Sequence, residues 1–120
     1  MIILIADDSS LIRTNLGKLI IQKIEDIDIK NSSDVASTLR ELDSTLVNVL
    51  ILDIQFPDGS GFDVLHYLKD HANKPFIIVL TNNSRQKIKE RSLQLGADLF
   101  FDKSEEYERV VEEIIRLNNK

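Results

Sequence analysis

A chain of 120 residues, 42% of them hydrophobic, suits one domain spanning residues 1–120 with a real core, and leaves no room for an output module. Fifteen Lys and Arg against twenty Asp and Glu give a net charge of −5, which argues against binding a nucleic-acid backbone, and the absence of cysteine excludes thiol catalysis, disulfides and thiolate metal sites. No stretch approaches the ~18 apolar residues of a membrane span, and residues 1–5 carry no basic region ahead of their apolar run, so the expectation is a cytoplasmic protein with a protein or small-molecule partner.

Residues 2–5 are a short, non-alternating Ile/Leu run, as expected of a strand buried on both faces, and they lead through Ala6 into Asp7 and Asp8. Ser9 or Ser10 is placed to cap a first helix, whose Ile12, Leu16, Leu19, Ile20 and Ile24 recur at helical spacing. Residues 27–29 read as a short edge strand. Ser33 or Asp34 starts a second helix through Val35, Leu39 and Leu42, and residues 47–52 form the next strand, ending in Asp53. Pro57-Asp58-Gly59-Ser60-Gly61 is a turn, its glycines suited to positive φ, ahead of a helix carrying Phe62, Leu65 and Leu68.

A strand over 76–80 runs into Thr81. Residues 82–95 then read as a helix capped by Asn83 or Ser84 and closed by Gly96. Its apolar stripe is thin, since Ile88 stands almost alone before Leu93 and Leu95, so this is the element expected to be loosely held and to move. The strand at 99–101 passes through Asp102 into Lys103. The last helix has a full apolar face of Tyr107, Val110, Val111, Ile114 and Ile115, with Ser104 as its cap and Glu105, Glu106 and Glu108 near its positive end.

This is a β/α alternation of five units, expected to fold as a doubly wound, flavodoxin-like five-stranded parallel sheet of order 2-1-3-4-5. Every strand of such a sheet ends at one carboxyl edge, so Asp7, Asp8, Asp53, Thr81 and Lys103 converge on one crevice. Clustered carboxylates raise one another's pKa unless a cation intervenes, and an open site with few protein oxygens suits Mg²⁺ better than a full Ca²⁺ cage. Metal, ammonium and hydroxyl together are the parts that hold a transferring phosphoryl group, and Asp53, the most central acid, is the natural nucleophile.

Asp7-Asp8 after the first strand, Asp53 in Leu-Asp-Ile-Gln-Phe-Pro-Asp-Gly-Ser-Gly, Thr81, and Lys103 behind Gly-Ala-Asp-Leu-Phe-Phe-Asp closely resemble the receiver domain of bacterial two-component response regulators, the CheY-like family. The resemblance runs the length of the chain. It implies that Asp53 is the phosphoryl acceptor from a histidine kinase or phosphotransfer protein. Asp8, Asp53 and the Gln55 backbone carbonyl would hold Mg²⁺, with Asp7 acting through a metal-bound water. Thr81 would close on the phosphoryl oxygen, Lys103 would pair with it, and Phe100 would be the aromatic that turns inward with Thr81. It further implies a phospho-switch, not an enzyme beyond its own phosphoryl transfer and autodephosphorylation, that controls a protein target through the 82–117 face.

Three positions depart from the family pattern. Ser104 stands where proline usually follows the lysine, Asn82 where a small residue usually flanks the threonine, and Phe100 has no ring hydroxyl. Phe100 also reads simply as a core residue. His66 and His71 read as solvent-facing residues on or just after the third helix, and Arg85, Lys87, Lys89 and Arg91 as a solvated helix face or a docking surface. A haloacid-dehalogenase-type phosphohydrolase needs an acid two residues past the nucleophile, where this chain has Gln55. A flavodoxin would have to cradle a phosphate against Asp7 and Asp8, which their charges oppose.

Overall fold

The computed structural model describes residues 1–119. Strands β1 (Ile2–Ala6), β2 (Asp28–Ser32), β3 (Val49–Leu52), β6 (Phe76–Thr81) and β7 (Leu99–Asp102) form one parallel sheet, and β4 (Gln55–Phe56) pairs with β5 (Gly59–Ser60) in a small antiparallel hairpin. The large sheet is ordered β2-β1-β3-β6-β7, which is 2-1-3-4-5 when its five strands are counted by themselves. Helices α1 (Ser10–Lys23), α2 (Val35–Ser44), α3 (Gly61–Leu68), α4 (Gln86–Gln94) and α5 (Tyr107–Asn118) cross between them.

Alternate residues of the buried strands feed two cores. Ile3, Ile5, Val49, Ile51, Ile78 and Leu80 face Leu16 and Ile20 of α1 and Val110 and Ile114 of α5. Leu4, Ala6, Leu50, Leu52, Ile77 and Val79 face the opposite way, against Val35 of α2 and Val64, Leu65 and Leu68 of α3. A strand covered on both faces must be apolar at both parities, which is why these runs do not alternate.

The elements differ from the sequence expectation mainly at their ends. The edge strand runs over Asp28–Ser32, because β1 extends the ladder from Ile2↔Asp28 to Ala6↔Ser32 and backbone pairing overrides the polar side chains of Lys30 and Asn31. Ser9 accepts from the Ile12 amide and caps α1, while Asp34 and Ser37 form a capping box on α2. The expected helix over 82–95 shortens to Gln86–Gln94: the Asn83 amide donates to the Thr81 hydroxyl, and Arg85 at the cap makes no side-chain capping bond. Gly96, at φ 110°, closes α4 in the left-handed region, with its amide donating to Leu93 and that of Ala97 to Ser92, a Schellman ending.

α4 is thinly held, as its stripe suggests. Ser92 alone on it is buried, and the Ser92 hydroxyl donates to the Ile88 carbonyl of the same helix at 2.7 Å; Ile88 is half-buried and Leu93 is 42% exposed. One member of the basic run has a partner: the Arg91 guanidinium lies 5.2 Å from the Phe62 ring centroid on α3, a cation–π contact across the two helices. Arg85, Lys87 and Lys89 face solvent. His66 and His71 are exposed, and the His71 ring lies tilted against that of Tyr67, with centroids 4.4 Å apart.

Gly61 is required by close approach. A Cβ there would lie 2.3 Å from the Asp53 carbonyl oxygen and 3.0 Å from the Ile54 Cα, both backbone atoms with little freedom to yield, and the Gly61 amide donates to the Ile54 carbonyl at 2.7 Å. The chain therefore folds tightly back beside Asp53 before α3 begins. Gly61→Ala is expected to lower the unfolding free energy by about 1–3 kcal/mol, the usual cost of overpacking, as measured by urea denaturation.

Candidate functional site at the carboxyl edge of the sheet

Register decides which strand ends meet. Ala6 pairs with Leu52 as the last rung between β1 and β3, so Asp7 and Asp53 follow side by side, and the Asp53 amide donates to the Ala6 carbonyl at 3.0 Å. On the other flank Thr81 pairs with Asp102, and the Lys103 amide donates to the Thr81 carbonyl at 3.1 Å. Leu52 pairs with Val79, which leaves Thr81 standing two residues further out on β6.

Carboxylate oxygens of Asp7, Asp8 and Asp53 lie within 4.8 Å of one another, and among the described residues this is the one acidic or histidine cluster compact enough for a metal ion. Asp7 and Asp53 are buried, whereas Asp8 is exposed. Into this cluster reaches Lys103, whose ammonium pairs with Asp7 Oδ2 at 2.7 Å and Asp53 Oδ2 at 2.8 Å. The other oxygens are held from the backbone: Asp7 Oδ1 accepts from the Ser9 amide at 2.9 Å, and Asp53 Oδ1 from the Ile54 amide at 2.7 Å. Arg13 donates to the Asp7 backbone carbonyl at 2.6 Å.

Two buried carboxylates thus share one ammonium, with the exposed Asp8 beside them, and the proton affinities of the groups shift accordingly. Burial pushes the Asp7 carboxyl above the usual carboxylate range, the neighbouring charge of Asp53 adds to the rise, and hydrogen bonds from Lys103 and Ser9 recover only part of it. Burial by itself would pull Lys103 down, yet hydrogen bonds to Asp53 and Asp7 outweigh it and hold the ammonium above its ordinary value. The cation gains from two anions while each anion has half a cation. A hard divalent ion fits this donor set, because it would offset the remaining negative charge through oxygens the cluster already brings together.

Thr81 is fully buried; its hydroxyl accepts from the Asn83 amide at 3.2 Å and retains its own proton to donate. Gln55 opens the β4–β5 hairpin and lines a shallow groove with Asn82, Asn83, Ser84 and Arg85. Phe100 is buried on the face that also takes Ile88 and Leu95, so it packs where α4 covers the sheet.

The Lys103 loop shows what replaces proline. Ser104 was expected to cap the last helix; instead its amide and hydroxyl both donate to Asp102 Oδ1, and α5 starts at Tyr107 with no side-chain cap. The Glu106 amide donates to the Asp102 carbonyl at 2.8 Å, while Glu106 Oε1 accepts from the Asp102 amide at 3.2 Å. The hydroxyls of Ser104 and then Ser84 hold the Asp102 carboxyl down to about 2. Hydrogen bonds therefore stiffen a segment that a pyrrolidine ring stiffens elsewhere, and the described residues contain no cis peptide bond. Neither this staple nor the contribution of Arg13 was legible in the sequence; an Asp two residues before a Ser was the only available signal, and it is common in any turn.

A profile of the response regulator receiver domain matches residues 3–115. The chain belongs to that family. This receiver is 32% identical over 80 residues to the sensory transduction protein LytT of Bacillus cereus, a match covering 66% of this chain and 32% of the relative. It is 30% identical over 122 residues to a protein-glutamate methylesterase/protein-glutamine glutaminase of Koribacter versatilis, covering 94% of this chain and 33% of that protein. The receiver thus spans a minor part of the length of both relatives. Among solved structures, the signal receiver domain of a DNA-binding response regulator protein from Colwellia psychrerythraea shares the fold with a TM-score of 0.91 at 20% identity, over 100% of this chain and 99% of that one. Receivers are phosphoacceptor switches of two-component signalling that bind Mg²⁺ at an acidic pocket, and the aspartate cluster is this chain's acidic pocket. Among the described residues no helix is long and apolar enough to cross a membrane.

The raised Asp7 titration has a definite sign. Its folded-state pKa lies above the unfolded value, so protonation favours the fold at low pH, and that contribution is lost as pH rises through the folded pKa. Without divalent metal, Asp7→Asn is therefore expected to raise the melting temperature at pH 7, with a smaller gain at pH 4. Thermal unfolding in chelator at the two pH values measures this.

Proposed function

We propose that this receiver takes a phosphoryl group on Asp53 from a histidine kinase or phosphotransfer protein and, in that state, changes its affinity for a protein target. The observation that carries the reading is the buried Asp53 carboxylate, hydrogen-bonded by Lys103 beside Asp7 and Asp8 at the shared carboxyl edge. Mg²⁺ would be held by Asp8, Asp53 and the Gln55 backbone carbonyl, with Asp7 acting through a bound water, and would supply positive charge to the transferring phosphoryl oxygens.

An Asp53 oxygen attacks phosphorus, the bond from phosphorus to the donor nitrogen breaks, and the imidazole leaves with that electron pair. Lys103 offsets the charge that arrives, exchanging a carboxylate partner for a phosphoryl oxygen, and burial strengthens the pairing. The Thr81 hydroxyl, already oriented through Asn83, donates to a second phosphoryl oxygen. Its movement drags the 82–85 loop, and α4, with a single buried side chain, offers little resistance. Phe100, packed on the α4 side, refills the space that the loop and helix vacate. The 82–117 face would thereby present a different surface to the target. We assign no nucleic-acid contact to this domain, in keeping with its net negative charge.

Incubation with acetyl phosphate and Mg²⁺, followed by intact-mass measurement, is expected to show one phosphoryl group that Asp53→Asn abolishes. Mg²⁺ titration should shift the amides of Asp7, Asp8, Asp53 and Gln55 in the wild type and fail to do so in Asp8→Ala. A phosphoryl group recovered on Ser9, Ser10, His66 or His71, or an undiminished Mg²⁺ response in Asp8→Ala, would refute the assignment.

Asn82 follows Thr81 in the chain, is exposed and lines a groove with Gln55; on this reading small donors and water would reach the cluster past it. A side chain larger than the family's usual small residue obstructs that approach. Asn82→Ala is expected to speed both phosphorylation by acetyl phosphate and loss of the phosphoryl group by about threefold, ~0.7 kcal/mol of barrier, with Mg²⁺ affinity unchanged. Slower loss in the variant would instead mean that Asn82 orients the attacking water.

A further inference from the structure

The hairpin that carries Gln55 is anchored at a distance. Its strands pair Gln55↔Ser60 and Phe56↔Gly59, and its base is closed by the Gly61 amide on the Ile54 carbonyl, so Pro57 and Asp58 form an outer tip. From that tip the Asp58 carboxylate reaches the start of α2, where Oδ1 accepts from the Val35 amide at 2.8 Å and Oδ2 from the Ala36 amide at 3.1 Å. These are the first two amides of the helix, which have no partner within it, and the positive end of the helix favours a carboxylate there. Asp34 meanwhile accepts from the Ser37 amide, so α2 already has its own cap and Asp58 is an addition from 22–23 residues away.

The anchorage point is itself tied to the acid cluster. The Thr38 hydroxyl on α2 donates to the Asp34 carbonyl at 2.7 Å and meets the buried Ser32 hydroxyl at 2.7 Å, and the Ser32 carbonyl accepts from the Asp7 amide at 3.0 Å. A continuous line of hydrogen bonds therefore runs from Asp7 through Ser32 and the start of α2 to the tip of the hairpin that bears Gln55. The two sides of the crevice, β1 with its acids and the hairpin with its carbonyl, are braced against each other through α2.

We propose that Asp58 is a positioning residue of the Mg²⁺ site, a strut that fixes the Gln55 carbonyl by clamping its hairpin to the N-terminus of α2; this rests on the metal assignment made above. A two-rung hairpin is too short to hold a fixed angle by itself. Pivoting about Ile54 and Gly61, it would swing Gln55 relative to Asp8 and Asp53, and a hard cation discriminates strongly by ligand placement.

Mg²⁺ titration and amide hydrogen exchange of the full chain test this, with Asp58→Ala, Asp58→Asn and Ser37→Ala compared with the wild type. Asp58→Ala is expected to raise the Mg²⁺ dissociation constant about tenfold, at the low end of the effect of groups that orient a ligand, and to speed exchange at the Gly61 amide and across 55–60. Asp58→Asn, which keeps one acceptor oxygen, should fall between. Ser37→Ala weakens the capping box of α2 without touching the hairpin, and should leave Mg²⁺ affinity within about twofold of wild type, well short of the tenfold effect. Equal losses in Ser37→Ala and Asp58→Ala would overturn the proposal, because helix stability alone would then explain the effect. So would an Asp58→Ala variant with wild-type Mg²⁺ affinity and unchanged hairpin exchange. A wild type with no Mg²⁺ response would refute the metal assignment, and with it the positioning role; hairpin exchange in Asp58→Ala still decides whether the clamp exists.

Discussion

The Lys103 ammonium set between the Asp7 and Asp53 carboxylates is the interaction on which the crevice depends. It joins the loop after β7, at one edge of the sheet, to the ends of β1 and β3 across the intervening β6. Burying two carboxylates beside one another is unfavourable, and a buried charge is tolerated only when paired and hydrogen-bonded. Every oxygen of this pair accordingly has a donor: Ser9 and Lys103 for Asp7, Ile54 and Lys103 for Asp53. The arrangement still falls short of neutrality, since Asp8 adds a third acid. Residual negative charge in a partly buried crevice favours a further cation among these oxygens.

The same fold distributes stability unevenly, and the uneven part lies beside the site. α5 buries Val110, Val111 and Ile114 against the β1, β3 and β6 face, whereas α4 buries only Ser92 and leans on Phe62 through Arg91. A helix with so little buried is held by few contacts that a shift would have to break. The hydrogen-bonded loop over Asp102 to Glu106, by contrast, keeps Lys103 at a fixed reach. Support for the cation and support for the neighbouring helix therefore differ within one crevice.

The fold class and most of the crevice were legible because each rests on a local signal. Doubly apolar runs mark buried parallel strands, and acids or Lys placed at their ends mark the carboxyl edge, so Asp7, Asp8, Asp53, Thr81 and Lys103 could be grouped from order alone. The edge strand and the starts of α4 and α5 were not legible to the residue. β2 owes its length to pairing with β1, and the amides that would begin α4 and α5 earlier are drawn to the Thr81 hydroxyl and the Asp102 carboxylate. The glycines of the turn answer two requirements, of which only one was legible: Gly59 takes the positive φ expected of it, at 159°, whereas Gly61 is needed for close approach to the Asp53 carbonyl.

Sequence alone thus determined the alternation of strand and helix, the two-sided burial of the sheet and the set of chemical groups at its edge, since hydrophobic period and strand-end residues are properties of neighbours in the chain. Tertiary structure alone decided which of those groups touch. That Lys103 bridges Asp7 and Asp53, that Asp58 reaches α2, and that Ser32 couples α2 to Asp7 depend on strand order and register bringing together residues 96, 50, 23 and 25 positions apart. No local pattern encodes such pairings, because their partners become neighbours only when the sheet has closed.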